Sequence, residues 1–275
     1  MAITNTELFS IDIKNKVTEQ ECLLWERFRN QQGPDWISFH PTSEWLPKWG
    51  TKVERYTSTN CEYYLPILNR ICEEMKQQNE TFCEILPQKD ETTRKLTLSA
   101  ISQLEKHDPE LGYALRMFVG RILIVDCADL VASSSILFLG LIIIAPKPWW
   151  TLYDYMENII HEMSHIELYI KQFIDPMVIK GSYLQSPFRE NLRPTNCVFH
   201  ATFVLARIIS RLRPFALQQD DSSPLNVRLR QCSELLDKSL SQLNDPSKLT
   251  PSGIILLNEI TELSITQRNV NYATI

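Results

Sequence analysis

The chain has few glycines and no segment typical of membrane or secreted proteins. Only seven of its 275 residues are glycine, so long stretches lack the flexible residue that weakens helices. The longest apolar run, 136–145, has about half of the roughly 20 residues that a transmembrane helix needs. Residues 1–20 carry charged side chains where a signal peptide would have its apolar core. We therefore expect a soluble, cytoplasmic protein that is mainly helical.

Positive charge and patterned cysteines are also missing. The formal net charge is −5, whereas non-specific nucleic-acid binding requires a clustered positive surface. The seven cysteines are scattered and include no C-x-x-C pair. An odd, unpatterned set of this kind is typical of reduced thiols in a reducing compartment. We expect neither a nucleic-acid partner nor a membrane partner.

The most specific pattern in the chain is H-E-M-S-H at residues 161–165. Two histidines four residues apart on a helix project from one face, so both imidazoles can reach one metal ion. The surrounding run 151–174 favours a helix, because apolar residues recur at helical spacing and Thr151 with Asp154 forms a capping box. Glu162 lies near the same face, where it would act on a metal-bound water or hold a ligand in place.

The rest of the chain is mostly helical in its apolar periodicity, with two strand candidates. These are Arg121–Val125 and the apolar run Ile136–Ile144, both ahead of the H-E-x-x-H helix. We therefore predict an α+β fold, mainly helical, in which a small sheet packs beside the helical core that carries the motif. We expect one globular domain over 1–275, with an N-terminal helical region at about 18–115 and a metal-binding core at about 116–215.

A metal bound by this motif needs a third protein ligand. One zinc-protease pattern places a histidine six residues after the second, but that position is Lys171. Glu167 points roughly 200° away from His165 on the helix, and Glu190 lies in a predicted loop. His200 is the only histidine after His165 and lies on a predicted helix at 196–212. The expected metal ligands are three histidines: His161, His165 and His200.

In the order and spacing of its motifs, the sequence resembles the H-E-x-x-H-type 2-oxoglutarate-dependent peptide β-hydroxylases. These bacterial enzymes modify ribosomally synthesised peptides. The resemblance rests on the motif itself, on the loop Ser186-Pro-Phe-Arg-Glu-Asn-Leu-Arg-Pro194, on Val198-Phe-His200 and on the apolar run 139–146. It covers about residues 120–215. Asn191 departs from the family pattern, in which an acidic residue is common, and Ala201 replaces the usual glycine.

This resemblance implies Fe(II) bound by the three histidines, with 2-oxoglutarate and O2 as co-substrates and a precursor peptide as substrate. The reaction would be hydroxylation of a side-chain β-carbon. The far carboxylate of 2-oxoglutarate would be bound by Arg189 or Arg193, since a guanidinium forks onto a carboxylate with two hydrogen bonds. Glu162 would hydrogen-bond a metal ligand or position water rather than act as a proteolytic base.

Two alternatives remain open. The first is a zinc metallopeptidase in which Glu162 is the general base on a zinc-bound water. That alternative retains the motif but leaves the loop with Arg189 and Arg193 unexplained. The second is a helical interaction protein in which the motif binds no metal.

Overall fold

A computed structural model describes residues 51–77, 84–186 and 191–272. Arg189 and the first part of the predicted N-terminal helical region, up to residue 50, lie outside the described residues. No helix in the described ranges is both long enough and apolar enough to cross a membrane.

The described residues divide into two compact units. The sheet unit lies within 51–166, and the helical unit lies within 167–272. The prediction of a single domain over 1–275 stays a prediction.

The sheet unit contains a four-stranded mixed sheet in the order β1-β2-β4-β3. Its strands are β1 (Lys52–Arg55), β2 (Arg121–Ile124), β3 (Ala132–Ser134) and β4 (Leu141–Ile144). The first, second and fourth strands are parallel, and β3 runs antiparallel to β4 at one edge. All four residues of β4 are buried, as expected for an inner strand covered on both faces.

Three helices connect β1 to β2: α1 (Cys61–Gln77), α2 (Glu91–His107) and α3 (Pro109–Phe118). Asp90 and Asp108 cap α2 and α3, because each carboxylate accepts a backbone N–H from the first turn. Helix α1 packs into the apolar core of this unit. That core includes Tyr64, Ile67, Leu68, Leu123 and Ile143.

Helix α4 (Leu152–Ile174) follows β4 and carries the histidine motif. Its start shows one half of the predicted capping box, since the Asp154 carboxylate accepts the backbone N–H of Thr151 at 2.7 Å. The Thr151 hydroxyl donates to the same carboxylate at 2.7 Å instead of accepting the backbone N–H of Asp154.

The strand predicted over Ile136–Ile144 is correct only for its last four residues. Residues 136–138 form a 3-10 turn, in which the Ser135 hydroxyl accepts the backbone N–H of Leu137. Gly140 then adopts a φ of 90°, which ends the extended backbone on that side of β4. An apolar run does not by itself distinguish a buried strand from a buried turn.

The helical unit contains a hairpin and three long helices. They are β5 (Tyr183–Gln185), β6 (Leu192–Pro194), α5 (Thr195–Ala216), α6 (Pro224–Gln242) and α7 (Pro251–Tyr272). Helix α5 is the central element, with side chains buried along nearly its whole length. Together with the sheet unit, these elements confirm the predicted α+β, mainly helical fold class.

The start of α7 lies very close to the segment that follows α4. Thr250 donates its backbone N–H to the carbonyl of Met177 at 3.1 Å, and Ile179 donates to the carbonyl of Lys248 at 2.8 Å. A Cβ atom added at Gly253 would lie 1.9 Å from the Met177 carbonyl oxygen, so only glycine fits there.

We expect Gly253→Ala to lower the free energy of unfolding by about 3 kcal/mol or more, because the backbone of one segment must move. Gly181→Ala is the matched control. The new Cβ at position 181 would have open space around it, so the substitution is disfavoured only by the backbone φ of 84°, which costs on the order of 1 kcal/mol for a residue with a side chain. Urea unfolding of both variants measures the difference, and equal losses would show that the close approach is not needed.

Candidate metal centre

His161 and His165 bring their Nε2 atoms together on one face of α4. The two atoms are 3.2 Å apart, and the ring planes are tilted by 59° with centroids 4.9 Å apart. Two nitrogen ligands about 2.0–2.1 Å from one tetrahedral or octahedral ion lie about 2.9–3.4 Å from each other. The observed separation falls within this range, and it is equally the length of an N–H···N hydrogen bond between the two rings in the absence of a metal.

The histidine pair lies on a helix whose neighbouring apolar side chains are buried, while the side chain of His161 is partly exposed to solvent. The neighbouring residues Ile159, Ile160, Met163 and Ile166 are buried, which fixes the helix in the sheet unit. The side chain of His161 is nonetheless 40% exposed. A catalytic metal needs coordination positions that water or a substrate can reach, and this exposure provides the access.

Glu162 is buried beside the pair and is positioned by the edge strand of the sheet. The Ser134 hydroxyl of β3 donates a hydrogen bond of 2.7 Å to Glu162 Oε2. The other carboxylate oxygen lies 3.9 Å from His161 Nε2. Burial raises the pKa of the Glu162 carboxyl, although His161 and the Ser134 hydroxyl oppose the rise. One oxygen is therefore held by the sheet, and the other faces the histidines.

Sequence reasoning did not identify Ser134. Ser134 lies between the two predicted strands, and a three-residue strand gives little periodicity to recognise. The only available signal was the run of three serines at 133–135 next to a buried strand, and that pattern does not indicate which hydroxyl meets Glu162.

His200 lies on α5 and is buried in the helical unit. Its Nε2 atom is 2.9 Å from Gln172 Oε1, and its ring packs on Tyr169 with centroids 4.9 Å apart. The Gln172 amide nitrogen donates to Asn196 at 2.6 Å. In that orientation the Gln172 oxygen accepts, so Nε2 of His200 carries the hydrogen.

Burial lowers the pKa of His200 to about 3, so its imidazole is neutral at physiological pH. A neutral imidazole is the form that binds metals. To bind through Nε2, His200 would have to give up that proton and its hydrogen bond to Gln172. Sequence reasoning did not identify this hydrogen bond, because nothing in the sequence pairs the two residues.

Of the two arginines predicted to bind 2-oxoglutarate, only Arg193 is among the described residues. Arg193 lies in β6, partly exposed, with its backbone paired to Leu184 in the hairpin. Within residues 51–77, 84–186 and 191–272, no three His, Cys, Asp or Glu side chains are grouped as a metal site. The structure thus brings His161 and His165 together, and the three-histidine ligand set stays a prediction.

No protein-family model matches the chain, and no curated protein matches it either. The resemblance to the peptide β-hydroxylases therefore depends on the residues of this sequence alone.

We expect Ser134→Ala to lower the free energy of unfolding of metal-free protein by about 1–3 kcal/mol, because a buried carboxylate loses its hydrogen-bond donor. Ser133→Ala, one residue earlier in the same strand, is the control and should change stability by less than about 0.5 kcal/mol. Denaturant unfolding of the two variants measures both values. Equal stabilities would mean that the sheet does not hold Glu162.

Proposed function

We propose that this chain is an Fe(II)/2-oxoglutarate-dependent oxygenase that hydroxylates a side-chain β-carbon in a ribosomally synthesised peptide. The observation that carries the proposal is the 3.2 Å separation of the Nε2 atoms of His161 and His165. His200 is proposed as the third ligand. Bound iron would supply the activation of O2, of which one oxygen atom would enter succinate as 2-oxoglutarate loses CO2 and the other would enter the hydroxyl group of the peptide.

In this proposal the residues of the chain position the metal and a water molecule, and they leave the metal accessible to the substrate. His161 and His165 orient the metal from a helix whose buried neighbours hold it in place. Glu162 has one oxygen bound by Ser134, and its other oxygen is available to hydrogen-bond a water on the histidine side. Its raised pKa reflects a desolvated site, in which such hydrogen bonds are stronger than in water.

A peptide substrate fits the position of β3. Among the described residues this strand pairs with β4 alone, so its outer edge carries backbone groups able to pair with an added strand. An extended peptide can add to such an edge. Because Ser134 of the same strand contacts Glu162, a peptide paired with β3 would run beside the histidine motif.

A second candidate function is a zinc metallopeptidase, and the position of Glu162 favours it. The oxygen 3.9 Å from His161 Nε2 lies where a general base for a metal-bound water is needed. Both functions use the histidine pair and the edge of β3. They differ in the metal, in the co-substrate and in the product formed from the peptide.

We expect His161→Ala and His165→Ala to weaken Fe(II) binding more than about 100-fold, a larger effect than loss of an outer contact to a metal ligand. His107→Ala, at the end of α2, is the control and should leave affinity unchanged. Anaerobic calorimetric titration of the full chain measures the constants. Wild-type affinity for Fe(II) in either motif variant would contradict the proposal. Wild-type affinity in His200→Ala would show only that His200 is not the third ligand.

The reaction itself is tested by incubating the iron-loaded protein with 2-oxoglutarate, O2 and a precursor peptide. We expect succinate release and a peptide heavier by one oxygen atom. Tightly bound zinc with cleavage of the peptide would instead establish the peptidase.

We further expect Arg193→Ala to raise the KM for 2-oxoglutarate about 10- to 100-fold with little change in kcat, because a charge-assisted hydrogen bond to the carboxylate is lost. Arg230→Ala, which removes an exposed arginine of α6, is the control. Steady-state succinate release measures both variants, and an unchanged KM for Arg193→Ala would remove this arginine from the co-substrate site.

A further inference from the structure

A buried cluster of charges in the helical unit has no part in the proposed reaction. Glu167 and Lys171 lie in the second half of α4, and Arg207 lies on α5. Relative exposure is 1% for Glu167, 5% for Lys171 and 0% for Arg207. Ionised side chains are rarely buried to this degree unless their polar atoms are fully paired.

The pairing between Arg207 and Glu167 is incomplete. Arg207 Nη2 donates to Glu167 Oε1 at 3.0 Å, and Lys171 Nζ contacts the same oxygen at 2.6 Å. Glu167 Oε2 has no hydrogen-bond partner, and neither do Nε and Nη1 of Arg207. A bidentate pair would use two nitrogens and both oxygens, whereas this pair uses one of each.

Phe203 occupies the face of the guanidinium rather than its edges. The Arg207 Cζ atom lies 5.0 Å from the centre of the Phe203 ring, and Lys171 Nζ lies 5.7 Å from it. A cation over a ring is attracted without using its in-plane N–H groups. The unsatisfied nitrogens of Arg207 therefore remain available for an acceptor, and leaving such donors buried and unpaired is costly.

We propose that this cluster binds a small oxyanion that also carries an O–H group. The unpaired nitrogens of Arg207 require an acceptor, for which an anion is the strongest partner, and Glu167 Oε2 requires a donor. Hydrogen phosphate meets both requirements, and so does the carboxylate and hydroxyl of a 2-hydroxy acid. A fully ionised dicarboxylate without a hydroxyl, such as succinate, meets only the first and is repelled by Glu167.

The burial of the cluster predicts how such a ligand would bind. Because Arg207 has no exposed surface, the oxyanion must enter through a transient opening of the contact between its helix and the second half of α4. We expect slow association and a bound state enclosed on all sides.

Thermal unfolding of the metal-free full chain tests the proposal with three probes at equal ionic strength: phosphate, malate and succinate. We expect the Tm to rise with phosphate and with malate, increasing with the logarithm of concentration, and to stay unchanged with succinate, when all three are measured in Arg193→Ala so that the proposed 2-oxoglutarate site does not contribute. A rise in Tm with only phosphate or only malate would support the site and would show whether its ligand is a phosphate or a 2-hydroxy acid. Equal responses to all three, or none, would overturn it.

Arg207→Lys keeps the positive charge but loses the planar fork, and we expect it to weaken the response to phosphate or malate about tenfold. Arg213→Lys, on the same helix and outside the cluster, is the matched control. A wild-type response in Arg207→Lys would overturn the assignment. A crystal structure of the wild-type protein grown with phosphate needs no variant: an anion against Arg207 supports the site, and ordered water alone overturns it.

Discussion

The continuity of helix α4 is the constraint on which the candidate site depends. Two histidines four residues apart share one face only while the backbone between them stays helical. The capping of the helix by Asp154 and the burial of Ile159, Ile160 and Met163 maintain that geometry. The same helix presents Glu167 and Lys171 from another face, so one element carries both the histidine pair and the buried charges.

The sheet contributes to the candidate site through Ser134, whose hydroxyl contacts both the carboxylate and the backbone carbonyl of Glu162. Strand β3 has three residues, yet its Ser134 hydroxyl fixes one oxygen of a buried glutamate beside the histidines. Without that donor, Glu162 would pay the full desolvation cost of a buried carboxylate. Because β3 is also an edge strand, the contact joins the acid of the motif to the place where an extended peptide would pair.

The sequence predicts those features that local pattern determines. The helix predicted over 151–174 follows from the apolar period and is confirmed as Leu152–Ile174. The spacing of His161 and His165 also brings their rings together, while their role as metal ligands stays a prediction. The strand predicted over Ile136–Ile144 was half wrong, because an apolar run reports burial rather than backbone conformation. Ser134, Gln172 and Arg207 were not identified, since each acquires its role from a partner at least 28 residues away in the chain.

The most direct test of the histidine pair as a metal centre is X-ray absorption spectroscopy of the protein loaded anaerobically with one equivalent of Fe(II). The account predicts a nitrogen and oxygen shell with the outer scattering of at least two imidazole rings, reduced by one ring in His165→Ala. An oxygen-only shell, or identical spectra for the wild type and His165→Ala, would contradict it.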